Sequence, residues 1–438
     1  MATLLFFLEE SSIEKSYSSL AWTPALSHDT HLVQIAGAAI EDEHVVYLAS
    51  VEQYGKSPQF YRLLEISPFI CHHAGNSEEN KVEFDLVFTA YPDKHDRTYF
   101  GKAKTVAYFP AHYFVEMPDH YMNGRLFYLL RASRSQVDFF VFQNSRQLDF
   151  YRTFTKAFAG FDLTENSFIL PYGISDSWRV APESTRIDKR KRLAIKENDI
   201  VLLHGGGAWR WTDFYNFLNQ YIEFSTRYQD CRLKLIIPGL SQEHNSDHNS
   251  YTTRIKDLLL DNRELFFNEN RAANWSILFV DSWEAAASHM ESFYAISDIG
   301  VSVSPNSLEY ALSHRVRVVD YVGSGLDLLL SAGDSFSSAR ELNSIRTVVS
   351  SSGSNRRAYF DVFSKLHNVG LQPRAGRLRS ATSARAFLSN SEMKRSAIKE
   401  MLSSTTERSI FPCPIDTVHH NSQVEMVRES LRGLFNVL

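Results

Sequence analysis

Ten consecutive residues, His204-Gly205-Gly206-Gly207-Ala208-Trp209-Arg210-Trp211-Thr212-Asp213, set three glycines, two indoles and a guanidinium between an apolar run and an amphipathic stretch. Glycines lack a Cβ and let the backbone approach a ligand, while a helix N-terminus behind them presents unbonded N–H groups to an anion. That is phosphate chemistry by geometry. Indole faces suit sugars or bases, and the Arg210 guanidinium suits phosphate oxygens. The competing reading is a plain turn, in which Thr212 or Asp213 caps the following helix and no ligand is needed.

A second cluster begins with Ser304-Pro305-Asn306-Ser307-Leu308-Glu309 and continues as Ser313-His314-Arg315-Val316-Arg317-Val318-Val319-Asp320-Tyr321-Val322-Gly323-Ser324-Gly325. Paired arginines can neutralise a diphosphate, and a carboxylate such as Asp320 can accept both hydroxyl protons of a ribose. An internal Arg/Asp/Glu network bracing a helix start is the alternative. His244 and His248 lie in a polar stretch, Ser241 to Ser250, but lack a third ligand at motif spacing, so a hydrated surface loop is expected and no metal site.

These residues need a scaffold. Short apolar runs alternate with helix-length amphipathic stretches, as in parallel sheets with crossover helices, so the fold class is α/β. Expected strands in the first half are the opening run Met1 to Leu8, His44 to Ala49, Phe84 to Ala90, Thr105 to Phe109, Val137 to Gln143 and Phe168 to Leu170, with a helix over Ser145 to Phe158. Pro171-Tyr172-Gly173 closes this half, and the basic run Arg186 to Arg192 reads as a solvated linker. A second series follows: strands at Ile200 to His204, Leu233 to Ile237, Ile277 to Val280, Ile299 to Ser304, Leu328 to Leu330 and Thr347 to Val349. Helices are expected after Asp213 and over Trp283 to Ser297. Two doubly wound halves imply a cleft, with ligands at the carboxyl ends of the strands.

The chain has 438 residues, a length that suits two or three domains. Its net charge of −5 argues against a protein that coats nucleic acid. Apolar residues at 44% supply ample core, which excludes disorder. Cys71, Cys231 and Cys413 are too few and too far apart for a disulfide framework, so a reducing compartment is expected. The start lacks a basic n-region, which argues for a first strand over a signal peptide, and no stretch is apolar enough to span a bilayer.

In order and separation the two clusters resemble the C-terminal domain of retaining GT-B glycosyltransferases, in particular the bacterial branch, family 4-like, that builds surface polysaccharides. Gly205-Gly206-Gly207, Trp211 and Asp213 match the first family segment. Asp298-Ile299-Gly300-Val301-Ser302, Glu309, Arg315-Val316-Arg317, Asp320-Tyr321 and Gly325-Leu326 match the second. Phe279-Val280-Asp281-Ser282-Trp283 resembles the linker into the preceding helix. Val137 to Val141 with Ser145 to Phe150 resembles the closing strand and helix of the first domain. The family's acidic pair is matched at its second place by Asp320, five residues before Gly325; Leu312 stands at the first, and Asp327 replaces the usual proline.

The resemblance implies two Rossmann-like domains facing a central cleft: an acceptor-side domain over residues 1–185, completed by a C-terminal helix over 411–438, and a nucleotide-sugar domain over 186–410. It implies a cytoplasmic, metal-independent hexosyltransferase-type enzyme, peripheral at most to the inner membrane, with no cofactor beyond a nucleotide-sugar substrate. Its acceptor would be a glycan, a lipid-linked sugar or another hydroxyl. Arg315, Arg317, Glu309 and His112 are the implied catalytic residues, with His28 and His31 as lesser candidates. Gly205, Gly206, Gly207, Arg210, Trp211, Asp213, Asn306 and Asp320 would bind the donor. A nucleotide-sugar epimerase of the same fold and a non-catalytic binding partner are the alternatives.

Overall fold

The computed structural model describes residues 1–8, 27–50, 59–66, 69–76, 82–90, 102–108, 137–158, 162–163, 166–173, 182–208, 212–228, 230–240, 246–267, 275–282, 289–305, 308–313, 315–331, 346–349, 357–369 and 391–404. The helices are α1 (Ser27–Glu41), α2 (Ser145–Phe158), α3 (Glu183–Arg192), α4 (Phe214–Arg227), α5 (Ser246–Leu260), α6 (Met290–Ile296), α7 (Leu308–Leu312), α8 (Val316–Gly323), α9 (Ala358–Val369) and α10 (Ser391–Ser403). The chain divides into two compact units. One comprises Met1–Gly173, Leu312–His314 and Asn390–Leu438; the other comprises Ile174–Ala311 and Arg315–Ser389.

In the first unit, apolar runs become β1 (Thr3–Leu8), β2 (Val45–Ser50), β5 (Leu86–Thr89), β6 (Lys104–Tyr108), β7 (Phe139–Phe142) and β8 (Ser167–Ile169), joined at one edge by β3 (Gln59–Ile66) and β4 (Phe69–Asn76). The sheet order is β4-β3-β2-β1-β5-β6-β7-β8, and only the β3 and β4 pairings are antiparallel. Helices cover the faces of such a sheet, so its strands read as continuous apolar runs. The edge hairpin was not foreseen, because His72, His73, Arg62 and Glu65 interrupt its apolar pattern.

Unit one closes at Gly173 for a visible reason. The Gln34 side chain donates to the Gly173 carbonyl at 2.7 Å and accepts from its N–H at 3.0 Å. The returning helix α10 places Ala397, Ile398 and Met401 in the same core as Leu32, Ile35 and Ala36 of α1. Lys104 Nζ donates to the carbonyls of Met401, Leu402 and Ser404, satisfying acceptors that a helix C-terminus leaves open. The sequence-expected helix over 411–438 lies outside the described residues.

Unit two carries β9 (Ile200–Leu203), β10 (Leu233–Leu240), β11 (Ile277–Ser282), β12 (Ile299–Ser302), β13 (Asp327–Ser331) and β14 (Arg346–Val349). Their order is β11-β10-β9-β12-β13-β14, and every pairing is parallel. The order reverses between β9 and β12, and such a switch point opens a crevice at the strands' carboxyl ends. Both glycine-rich and arginine-rich segments leave the sheet there.

Two expectations are corrected. The stretch 241–250 is not all loop, since α5 begins at Ser246 and carries His248. Nor is the basic run a solvated linker: it is α3, and Arg186 and Arg190 on it are 7% and 6% exposed. Spacing of four residues sets both on one helix face. Arg186 Nη2 and Arg190 Nη1 meet the two Asp298 carboxylate oxygens at 2.6 and 3.1 Å. Asp298 Oδ2 also accepts from the Val201 N–H at 2.9 Å, so the cluster fixes the amino ends of β9 and β12. A charge count along the chain cannot see this, because the partner lies more than a hundred residues away.

Candidate functional site

The site forms where β9 and β12 end. Gly206 has φ of +128°, a conformation that L side chains rarely adopt, and this explains the glycine at the centre of the turn. A Cβ there would also lie 3.2 Å from Cζ and Nη2 of Arg317, so the turn rests directly on that guanidinium. Arg317 Nη2 donates to the Gly207 carbonyl at 3.1 Å, and Nη1 donates to His204 Nε2 at 3.2 Å. Arg317 makes no ion pair among the described residues. The described atoms that accept from its half-buried guanidinium are both neutral, and burial lowers its pKa.

Tyr321 ties the turn to the sheet. Its hydroxyl accepts from the Gly205 N–H at 2.7 Å and reaches the Val301 carbonyl at 3.1 Å. The ring lies against Gly300 so closely that a Cβ on Gly300 would overlap it. Gly300→Ala is therefore expected to cost about 2 kcal/mol of stability through overpacking, read as a lower urea midpoint. A cost below about 0.5 kcal/mol would show that the ring gives way. Sequence matching noted Tyr321 only as Asp320's neighbour, since nothing local reveals a hydroxyl that reaches a turn 116 residues away.

Asp320, on α8, is half-buried. Desolvation pushes its carboxyl up to about 7, against the opposing pull of Arg317. Arg315 occupies the N-cap position of α8 and sits 5.1 Å above the Tyr310 ring. Arg315, Arg317 and Asp320 are thus on one short helix and its cap, with Gly205 to Gly207 packed over the second of them. Gly205 has further neighbours in Met290 and Tyr321, each 3.3 Å from the place a Cβ would occupy.

Asp213 precedes α4 and makes no side-chain cap bond. Its Oδ2 accepts instead from the Tyr359 hydroxyl at 2.7 Å and Asn216 Nδ2 at 3.3 Å, tying α4 to α9. Burial raises its pKa. Glu309 lies on α7, and Leu312, at the family's first acidic place, ends that helix 4% exposed. Arg210, Trp211, Asn306 and His112 lie outside the described residues. No group of three His, Cys, Asp or Glu side chains suited to a metal ion occurs among the described residues.

The first unit has its own polar cluster at the carboxyl edge of its sheet. Tyr108, the last residue of β6, has its hydroxyl 2.6 Å from both His31 Nδ1 and Gln143 Nε2. The Gln143 amide donates to the hydroxyl, and the hydroxyl and His31 Nδ1 share the second hydrogen bond. His31 is fully buried on α1, with Tyr172 edge-on to its ring. Among the described side chains, His31 is the one of the three candidate histidines His28, His31 and His112 that joins such a network.

No protein-family model and no curated protein matches the chain in sequence. Solved structures do match in fold. Anabaena HepE in complex with UDP and glucose has a TM-score of 0.58 at 12% identity, over 92% of this chain and 100% of that one. Sucrose-phosphate synthase of Thermosynechococcus elongatus has 0.57 at 10% identity, over 100% of both chains. WaaG, a glycosyltransferase involved in lipopolysaccharide biosynthesis, has 0.53 at 14% identity, over 92% and 100%. The chain has the GT-B fold, with two Rossmann-like domains.

Proposed function

We propose that this protein is a glycosyltransferase that moves a sugar from a nucleotide-diphosphate donor to a glycan or other hydroxyl acceptor, with retention. One observation carries the reading: Arg317 is a half-buried cation that makes no ion pair among the described residues, placed under a glycine turn at the switch point of the second sheet. An unpaired charge is costly to bury, and a diphosphate would complete it. The Nε hydrogen and the second hydrogen on each terminal nitrogen of Arg317 have no partner among the described residues, so three donors remain for phosphate oxygens.

In this reading the donor's C1–O bond to the diphosphate breaks as the acceptor oxygen bonds to C1 from the same face, and the acceptor proton passes to the departing phosphate. Arg317, with Arg315, stabilises the negative charge that develops on the leaving group. Asp320 accepts the ribose hydroxyls. The positive charge comes from arginines, so turnover is expected to persist in a chelator. The acceptor side is assigned to the first unit, a cytoplasmic setting with peripheral contact at the inner membrane belongs to the same proposal, and no described helix is long and apolar enough to cross a membrane. Likeness to WaaG supports a surface-polysaccharide acceptor, and likeness to HepE makes uridine diphosphate the first nucleotide to try.

The test is a binding screen with uridine, guanosine, thymidine and adenosine diphosphates, followed by transfer assays. Arg317→Ala is expected to weaken diphosphate binding roughly 10- to 100-fold, the loss of bonds to a charged group, and to depress turnover more than binding. Absence of any nucleotide binding or transfer would overturn the proposal. Product formed from donor alone would point to an epimerase, and binding without turnover to a non-catalytic protein.

A further inference from the structure

His204 is the residue before the glycine turn, and no assignment above gives it a role. Its ring is 0% exposed and lies against Phe214, the first residue of α4, with centroids 3.8 Å apart and planes 31° apart. The ring is therefore clamped between the end of β9 and the start of α4. Its Nε2 is 3.2 Å from Arg317 Nη1. Arginine only donates, so Nε2 must carry the lone pair and the imidazole is neutral with its proton on Nδ1. Burial and the adjacent guanidinium both lower the pKa of His204, in agreement with that form.

Arg317 is held at two points, Nη1 by His204 and Nη2 by the Gly207 carbonyl. Two bonds from different nitrogens fix a plane; one alone leaves the group free to turn. We propose that His204 is a positioning residue for the diphosphate site, its Nε2 lone pair fixing the Arg317 guanidinium beneath Gly206 so that the remaining N–H groups are preorganised for phosphate oxygens. This rests on the nucleotide-diphosphate reading above. His204 Nδ1 has no hydrogen-bond partner among the described residues, so replacing the ring by a group that supplies an acceptor only at the Nε2 place should preserve the function.

Gln carries its amide oxygen near the place of Nε2, whereas Asn reaches only the place of Nδ1. The experiment measures binding of inorganic pyrophosphate and uridine diphosphate to the full chain and to His204→Gln, His204→Asn and His204→Leu. Leu and Asn are expected to weaken both ligands about 10-fold, equal to about 1.4 kcal/mol, with uridine binding unchanged and Gln within about 3-fold of the parent. Equal losses for Gln and Leu, or no loss for Leu, would overturn the proposal. Nitrogen NMR of labelled histidine separates this from the transferase reading. If the parent binds neither ligand, that reading fails, yet the His204 signal, identified by its loss in His204→Gln, still decides the pairing. An Nδ1-protonated ring whose Nε2 resonance moves in Arg317→Met is expected; an Nε2-protonated ring, or one indifferent to Arg317→Met, would sink it.

Discussion

Asp298→Ala should destabilise the second unit by roughly 3–5 kcal/mol, because it takes from the buried Arg190 the carboxylate it pairs with and leaves Arg186 only the longer contact to the exposed Glu183 at 3.7 Å. Arg186 and Arg190 are each under a tenth exposed, and Asp298 is the carboxylate that both meet. Their hydrogen bonds to the carbonyls of Ala295, Ser297, Ile296, Lys196 and Asp199 orient the guanidiniums but carry no charge, and the second carboxylate near Arg186, Glu183, is exposed and 3.7 Å away. The Val201 N–H loses its acceptor as well. Since that bond joins β12 to β9, the loss should reach the strands that carry the glycine turn. Urea unfolding followed by tryptophan emission reads the effect, with Trp275 buried in this unit as a reporter. Asp298→Asn, which can keep the Val201 bond, should lose less stability than alanine. A cost below about 1 kcal/mol for alanine would mean that the arginines find water.

The second large effect is expected at Asp320, where Asp320→Asn should gain stability and lose nucleotide. Folded, the carboxyl holds its proton up to about 7; the ordinary value is 3.8. Between those values the native state binds more protons than the unfolded state, so stability falls as pH rises through that window, and the full penalty applies above it. About three units at 1.36 kcal/mol each give roughly 4 kcal/mol. Asparagine carries no such charge. The stability of the substituted protein relative to the parent should therefore grow between about pH 5 and about pH 8, as compared by urea midpoints. A difference that does not widen would place the carboxyl in an ordinary environment.

Nucleotide affinity should move the other way. Ribose hydroxyls donate best to the ionised carboxylate, so binding by the parent should strengthen from about pH 6 to about pH 8. Asp320→Asn should bind weakly at every pH. Stability given up at a binding residue is a common compromise.

Much of this was readable in advance. Ile200-Val201-Leu202-Leu203 and Leu328-Leu329-Leu330 are strands because a sheet covered on both faces needs unbroken apolar runs. The helix over Ser145 to Phe158 was placed to the residue by its spacing. The run Gly205-Gly206-Gly207 could be picked out because the need for glycine is written into backbone sterics, while the structure shows that Gly206 is the one with positive φ. The hairpin β3–β4 escaped because its charged and histidine residues break the pattern that a buried strand shows.

The sequence by itself determined the α/β class, the strand runs, and which segments carry glycine, arginine and carboxylate. Those follow from local rules with a reach of a few residues. Only the tertiary structure decided that Arg317 pairs with His204 and Gly207, that Tyr321 holds Gly205, and that Arg186 and Arg190 close on Asp298. The parallel sheet is the physical cause. Its crossovers bring β9 beside β12 although about a hundred residues separate them, and side chains with no local relation become partners at the strand ends.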